Sequence, residues 1–268
     1  MHVLGVDAAW TRTQPSGVAL VSRDELGWRC VAVAPSYQQF VALSEGTPVD
    51  WDHRPVGSAP DPTALIAAAT ILAGAPPDLV TVDMPLARTP VTRRRAADDA
   101  VSRAFGGQGC STHTPSAERP GRISETVRDG LATLGYPLAT AAVPVGTRSC
   151  TLEVYPHPAL LRLVNAAYRV PYKVAKVHAY RKPHESPPEG WRNLREQWRL
   201  VLAALSVHVH DLPAPLLEAA SDESARASRL KRFEDALDAL VCAWVGARFL
   251  EGAAVAYGDE DAAVWCPT

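Results

Sequence analysis

Four acidic residues in this chain lie where an apolar segment meets a polar break, which is a costly place for a charge. They are Asp7, Asp83, Glu153 and Asp238. Burying a carboxylate in a low-dielectric core is unfavourable unless the carboxylate pairs with a base or coordinates an ion. One or two divalent cations shared by the four side chains would supply that partner. The pattern therefore indicates a metal-binding carboxylate cluster, assembled from segments far apart in the sequence.

A fifth acidic residue, Asp235, lies three positions before Asp238 and therefore on the same face of a predicted helix. Like charges at this spacing oppose each other unless a cation lies between them. A metal ion would relieve that repulsion, and so would the neighbouring Lys231 or Arg232. The alternative interpretation is accordingly a solvated, salt-bridged helix face.

Carboxylate clusters suit hydrolytic phosphoryl transfer, in which two metals about 3.5–4 Å apart activate a water molecule and stabilise the leaving oxygen. Oxygen ligands favour Mg²⁺ or Mn²⁺. We predict that Asp7 bridges the metals, that Asp83, Glu153 and Asp238 complete the catalytic set, and that Asp235 is an auxiliary metal ligand.

Three of these residues also have a purely structural interpretation. Asp7 and Asp83 could be turn or cap residues that bind nearby backbone amides. Glu153 could be the buried partner of an arginine such as Arg148. Only the joint occurrence of the five acidic residues favours the metal site over these alternatives.

Two basic stretches are candidates for binding phosphates. The segment from Arg169 to His184 contains no acidic residue, and Arg93 opens a run of three arginines. We predict phosphate contacts by Lys173, Lys176 and Arg93. The alternative is that both stretches are ordinary solvated surface.

Short apolar runs predict the strands that must position these side chains. The runs Val3–Val6, Gly17–Val21 and Trp28–Val33 follow one another and predict an antiparallel meander. Leu79–Val82 is continuously apolar, as expected of a central strand covered on both faces. Two runs near the end of the chain flank a polar turn and predict a C-terminal hairpin.

Segments with helical periodicity alternate with these strands. They are Thr63–Leu72, Arg93–Phe105, Ile123–Leu134, Ala159–Val164, Trp191–Leu205 and Arg226–Phe249. The predicted fold class is therefore α/β, a mixed sheet with helices on both faces.

Five segments resemble a bacterial and archaeal family of uncharacterised proteins labelled predicted RNase H-like nucleases. The segments are Gly5–Asp7, Val82–Leu86, Leu152–Pro158, Asp235–Leu240 and Val264–Pro267. The resemblance spans nearly the whole chain. It implies an RNase H-like, five-stranded mixed sheet whose first-strand aspartate, fourth-strand acid and last-helix acids gather around divalent metal. The pattern Asp235-x-x-Asp238 also looks like the corresponding helix of Holliday-junction resolvases.

Length and composition set the remaining expectations. The 268 residues predict one domain, residues 1–268, with an insertion around 165–190. A net charge of −2 disfavours a protein that coats nucleic acid non-specifically. Five cysteines without a C-x-x-C pair indicate reduced thiols. No segment approaches about 20 uninterrupted apolar residues, so we expect a cytoplasmic protein with no membrane partner.

Together these features predict a metal-dependent nuclease or other phosphodiester hydrolase whose substrate is a nucleic acid or a nucleotide. Two other classes stay open. One is a non-catalytic binding or scaffold protein that keeps the RNase H-like fold. The other is an actin-like nucleotide-binding phosphotransferase, which is disfavoured because the chain is short for two lobes and has no obvious second Gly-x-Asp strand.

Overall fold

The computed structural model describes residues 1–180, 186–224 and 227–268. Eight strands within these ranges are β1 (His2–Asp7), β2 (Gly17–Arg23), β3 (Trp28–Ala34), β4 (Leu79–Val82), β5 (Cys150–Val154), β6 (Val209–His210), β7 (Ala254–Gly258) and β8 (Ala263–Pro267). They form one mixed sheet in the order β6-β3-β2-β1-β4-β5-β8-β7.

Nine α-helices connect the strands in the described part of the chain. They are α1 (Tyr37–Ser44), α2 (Pro62–Ala73), α3 (Ala96–Phe105), α4 (Arg122–Thr133), α5 (Pro156–Leu163), α6 (Val177–Tyr180), α7 (Pro187–His208), α8 (Ala214–Ala219) and α9 (Ala227–Leu250). None of these helices is both long enough and apolar enough to span a bilayer.

The predicted α/β class, the antiparallel meander, the central strand and the C-terminal hairpin are all confirmed. Strands β1, β2 and β3 pair antiparallel, and β7 pairs antiparallel with β8. Strand β4 is buried throughout and runs parallel to β1 on one side and β5 on the other. The sheet has eight strands rather than the expected five, because β6 extends one edge and the hairpin β7–β8 extends the other.

Alternate residues of each central strand face different helices, as the pleat requires. In β1, Val3 packs in the core with α7 and α9, whereas Leu4 and Val6 pack in the core with α1, α2 and α4. Helices therefore cover both faces of the sheet. Val3, Gly5 and Asp7 lie on the same side of β1, so the α9 side also receives Asp7.

Helix α9 is more deeply buried than its sequence pattern predicts. The pattern predicts an apolar stripe beside a charged face, but every residue from Phe233 to Ala247 is buried. Helices α5, α7 and α8 contact α9 on the side away from the sheet. Asp235 and Asp238 are consequently only 4% and 0% exposed. The alternative of a solvated, salt-bridged helix face is therefore wrong about solvation, although its salt bridge forms, between Lys231 and Asp235.

Two glycines let α9 approach the sheet closely. A Cβ atom at Gly5 would lie 2.5 Å from the backbone nitrogen of Ala243, and one at Gly17 would lie 2.5 Å from the carbonyl carbon of Asp235. Gly17 pairs with Asp7 across the β1–β2 ladder. Close packing at these two glycines thus presses the acidic turns of α9 against the end of β1.

We expect Gly5→Ala to destabilise the protein, because the added methyl group would push α9 away from β1. Overpacking of this kind costs about 1–3 kcal/mol of unfolding free energy. Urea unfolding measures the change. Gly107→Ala is the matched control, since a Cβ atom there meets open space at an ordinary φ. A Gly5→Ala protein as stable as Gly107→Ala would show that α9 can shift without cost.

The predicted insertion around 165–190 is described only in part. It includes a 3-10 turn at Val174–Lys176, the short helix α6 and the start of α7. Three members of the basic segment, Arg181, Lys182 and His184, lie outside the described residues.

Candidate active site

A cavity of about 1100 Å³ opens where β1 ends. The loop after β1, the segment around Arg54–Gly57, the loop around His113–Arg119 and the first turns of α9 form its walls. Asp7, Lys173 and Asp235 all line it. The cavity therefore includes part of the predicted carboxylate cluster.

Asp7 and Asp83 end neighbouring parallel strands at the same level. Val6 pairs with Val82 in the β1–β4 ladder, so the next residue of each strand is an aspartate. The Asp83 N–H donates to the carbonyl of Val6 over 2.9 Å, which extends the ladder by one step. Both side chains are partly buried. Topology thus brings together two acids that are 76 positions apart.

Neither of these two carboxylates has a hydrogen-bond or ion-pair partner among the described residues. A cap or turn residue would accept bonds from nearby backbone amides. The structural alternatives for Asp7 and Asp83 therefore gain no support. Burial and the neighbouring Asp238 raise the pKa of Asp7 well above its usual value, although Lys173 opposes that effect. Burial also raises the pKa of Asp83 to about 8, against the influence of Lys173.

The α9 acids, by contrast, are paired with lysines. Tyr172 donates its hydroxyl to Asp238 Oδ1 over 2.6 Å, and Lys173 Nζ binds Asp238 Oδ2. Lys231 Nζ binds Asp235. The base that neutralises Asp235 is therefore Lys231, one of the two candidates in the sequence.

Glu234 joins this network, although the sequence pattern did not single it out. Its carboxylate lies 2.9 Å from Lys231 Nζ and 3.5 Å from Lys173 Nζ, and it accepts the Val174 N–H over 2.5 Å. Only its position three residues after Lys231 could have indicated a role. Burial acts to lower the pKa of Lys173, but Asp238, Tyr172 and Glu234 outweigh it and raise that pKa well above its usual value.

Glu153 is placed differently from the predicted metal ligand. Leu152 and Val154 face the core that contains α9, so Glu153 points to the opposite side of β5. Arg95 donates to both of its oxygens, over 2.6 and 2.7 Å, and the Leu86 N–H adds a bond of 2.7 Å. The structure therefore gives Glu153 an ion pair on the other side of the sheet, although its charge still contributes to the raised pKa of Asp83.

The arginine in that pair is not the expected one. Arg148 lies 3.4 Å from Asp78 and does not reach Glu153. Arg95 instead lies between Glu153 and Asp98, with its side chain only 7% exposed. Helix α3 begins after Arg95, later than the predicted start at Arg93, because Arg95 is the residue before its first turn.

The predicted phosphate-binding residues do not form one surface. Lys173 is in the cavity, but its ammonium group is paired with Asp238 and Glu234. Lys176 and Arg93 are exposed and do not line the cavity. The cationic side chains that do line it, besides Lys173, are Arg54, Arg119, Lys231 and Arg232.

The described residues contain no group of three or more His, Cys, Asp or Glu side chains arranged to hold a metal ion. Asp7 and Asp83 nonetheless offer oxygen ligands without a protein partner, and hard cations such as Mg²⁺ and Mn²⁺ prefer oxygen ligands. Asp235 could add its Oδ2, because Lys231 binds only Oδ1, whereas both oxygens of Asp238 are already bonded by Tyr172 and Lys173. The donor set thus fits a cation at Asp7 and Asp83.

The raised pKa values predict how stability depends on pH without added metal. Between the unfolded and folded pKa values of Asp83, the native state binds the extra proton, so stability falls as pH rises from about 4 to 8. Asp83→Asn should remove the contribution of Asp83 to this pH dependence, which is at most about 1.4 kcal/mol of unfolding free energy per pH unit. Urea unfolding at pH 5, 6, 7 and 8 gives the difference between the wild type and the variant. A difference independent of pH would contradict the raised pKa.

Comparisons with known proteins place the chain in a family. Residues 5–262 match the family model described as "Protein of unknown function (DUF429)". No curated protein and no solved structure shows significant similarity to the chain. The family match covers all five acidic residues discussed above. The chain therefore belongs to the DUF429 family.

Proposed function

We propose that this protein is a metal-dependent phosphodiester hydrolase that acts on a nucleic acid or a nucleotide. The observation that carries the proposal is the pair Asp7 and Asp83, two carboxylates without partners among the described residues at adjacent strand ends. Asp7 faces a cavity lined by five Lys and Arg side chains. Carboxylates that would hold a cation beside cationic walls suit a phosphodiester substrate.

The sheet supports the RNase H-like interpretation of this site. Strands β3, β2, β1, β4 and β5 are consecutive in the sheet and form a mixed five-stranded unit. Asp7 ends its first strand, Asp83 follows its fourth, and Asp235 and Asp238 lie on the long helix packed against it. This is the arrangement of acids that the resemblance implies, except that Glu153 is paired with Arg95.

Each residue of the site has a distinct task. Asp7 and Asp83 would hold Mg²⁺ or Mn²⁺, and the metal would supply activation of a water molecule and stabilisation of the leaving oxygen. Lys231, 46% exposed at the cavity wall, attracts the phosphate charge. Tyr172 and Lys173 hold the Asp238 carboxylate in place beside Asp7. The negative charge of Asp238 would in turn favour a cation beside Asp7.

A second candidate is a non-catalytic protein that keeps this fold as a binding module. The lysine pairs favour it, because Lys173 and Lys231 between them already contact all three acids of α9. The ammonium groups of these two lysines would then take the place of the metal. The actin-like phosphotransferase has no comparable support, since the described strands form one sheet rather than two lobes.

A manganese titration separates the two candidates. A preserved site should stabilise the protein by RT ln(1 + [L]/Kd), about 2.7 kcal/mol at one hundred times Kd. Melting temperature is measured with Mn²⁺, Mg²⁺ or EDTA, and hydrolysis of bis(p-nitrophenyl) phosphate is followed in the same buffers. Stabilisation together with EDTA-sensitive hydrolysis supports the hydrolase. A melting temperature that neither metal changes, together with no detectable hydrolysis, favours the binding module.

We also propose a reducing, cytoplasmic location. All five cysteines are buried and free in the structure. Burial raises the pKa of Cys30, Cys150 and Cys266 to about 12, so their thiols are protonated and unreactive. Thiols kept in this way suit a compartment where disulfides are rare.

A further inference from the structure

Arg232 is a buried cation whose charge is not balanced by the described part of the protein. It is 9% exposed, lies in the first part of α9 and lines the cavity. One guanidinium nitrogen donates to the Trp51 carbonyl over 2.9 Å, and the buried Nε has no acceptor. No carboxylate of the described residues lies within 4.0 Å of it. The charge of Arg232 contributes to a lowered pKa of Asp50, but the larger causes are the backbone N–H groups of residues 52 and 53, which the Asp50 carboxylate accepts.

A buried charge without a partner is unfavourable, and a buried arginine outside the cavity shows the usual solution. Arg95 is bound by two carboxylates, Glu153 and Asp98. Arg232 differs from Arg95 in that it borders a cavity large enough for a ligand. An anion entering that cavity would provide the missing counter-charge.

Neighbouring residues extend the cationic wall. The Trp51 ring stacks on Phe233 with centroids 4.8 Å apart, which anchors the segment that carries Arg54 to the cavity. Across the cavity the Arg119 guanidinium lies 5.8 Å from the Trp10 ring. Cationic grooves that contain aromatic rings bind single-stranded nucleic acid, because phosphates contact the cations and bases stack on the rings.

Helix geometry separates this wall from the carboxylates. Arg232 precedes Asp238 by six residues, about 9 Å along the helix axis at 1.5 Å per residue. Side chains on a helix also lean toward its N-terminus, so the Arg232 guanidinium, held at the Trp51 carbonyl, extends away from Asp238. The phosphate assigned to Arg232 is accordingly one other than that attacked near Asp7. A substrate that uses both positions must carry more than one phosphate.

We propose that Arg232, assisted by Arg54, binds a non-scissile phosphate of a single-stranded nucleic acid, with Trp10 as a stacking surface for a base. This inference rests on the proposed function and specifies its substrate class. It replaces Lys173, Lys176 and Arg93 with Arg232 and Arg54 as the main phosphate contacts.

The test is binding of a fluorescein-labelled oligothymidylate of ten nucleotides, measured by fluorescence anisotropy in EDTA at several salt concentrations. Arg232→Met should weaken binding about tenfold, as expected when one charge-assisted bond is removed. It should also reduce the salt slope by about 0.7, because the variant neutralises one phosphate fewer. Arg232→Lys, which keeps the charge, should retain most of the slope.

Arg195→Met is the matched control. Arg195 is also a buried arginine, 6% exposed, with an unpartnered Nε, but it lies on α7 and does not line the cavity. Its substitution should leave binding unchanged. Circular dichroism establishes that each variant is folded. If Arg232→Met does not fold, Arg54→Ala on the exposed loop is used for the test instead. We then expect a smaller loss of affinity and a smaller reduction of the salt slope.

The inference would be overturned if Arg232→Met bound with the affinity and salt slope of the wild type. The same result for Arg54→Ala would overturn it if Arg232→Met does not fold. Because binding is measured in EDTA, the result is independent of hydrolysis. Binding through Arg232 without any response to manganese would refute the proposed hydrolase alone. A manganese response with binding indifferent to Arg232 would refute the phosphate subsite alone.

Discussion

Asp7→Asn should abolish the stabilisation by Mn²⁺ and any metal-dependent hydrolysis, while the metal-free protein melts at the same temperature or higher. The substitution keeps the shape of the side chain but removes the charge that a metal ligand must supply. Burial and Asp238 raise the pKa of Asp7, so ionising this side chain costs more free energy than in water when no cation is present. The amide removes that cost. The melting temperature of the variant relative to the wild type should therefore hold or rise in EDTA and fall in Mn²⁺.

The measurement is a set of thermal melts of wild type and Asp7→Asn in EDTA and in Mn²⁺. At one hundred times the wild-type Kd, about 2.7 kcal/mol of stabilisation should disappear. Asp129→Asn is the control, because Asp129 is 66% exposed and pairs only with the adjacent Arg128 among the described residues. A metal-free Asp7→Asn protein that melts far below this control would show that Asp7 is a structural residue.

Glu153→Gln should destabilise the protein by about 3 kcal/mol whether or not metal is present. Breaking one side of a buried ion pair leaves the other charge uncompensated, and such losses are about 3–5 kcal/mol. The lower figure is expected because Arg95 keeps its second partner, Asp98. Burial raises the pKa of Glu153 even though Arg95 opposes the effect, which reflects how far this carboxylate is from water.

Urea unfolding of Glu153→Gln in EDTA and in Mn²⁺ tests this role. Glu196→Gln is the matched control, since Glu196 also pairs with an arginine, Arg199, but is 68% exposed. Exposed pairs contribute about 0–1 kcal/mol, so the control should change little. If Glu153→Gln were as stable as the control and had no manganese response, Glu153 would be a metal ligand as the sequence pattern suggests.

Local patterns are sufficient to predict most elements. The apolar runs mark β1, β2, β3 and β4. The predicted helix Arg226–Phe249 coincides with α9 over the described residues except that α9 continues to Leu250, and Arg226 lies outside the described residues. Such segments are predictable because their burial follows from spacing along one strand or helix. Helix α1 is not predicted, although Ser36 caps it by accepting the Gln39 N–H. Its eight residues are too few for periodicity to indicate a helix.

The grouping of Asp7, Asp83, Asp235 and Asp238 is also foreseeable, since a charge ending an apolar segment needs a partner. The partner of each acid, by contrast, cannot be foreseen from the sequence. Tertiary packing directs Glu153 to Arg95 and gives Asp238 to Tyr172 and Lys173.

The α/β class, the meander, the hairpin and the acids at the strand ends all follow from the order of residues along the chain. Three other features depend on the folded arrangement: α9 is buried on all sides, lysines hold its acids, and Arg232 borders the cavity without a counter-charge from the described residues. The physical reason is range. Propensity and periodicity act between residues a few positions apart, whereas charge pairing and burial depend on which distant segments the fold brings within a few ångströms.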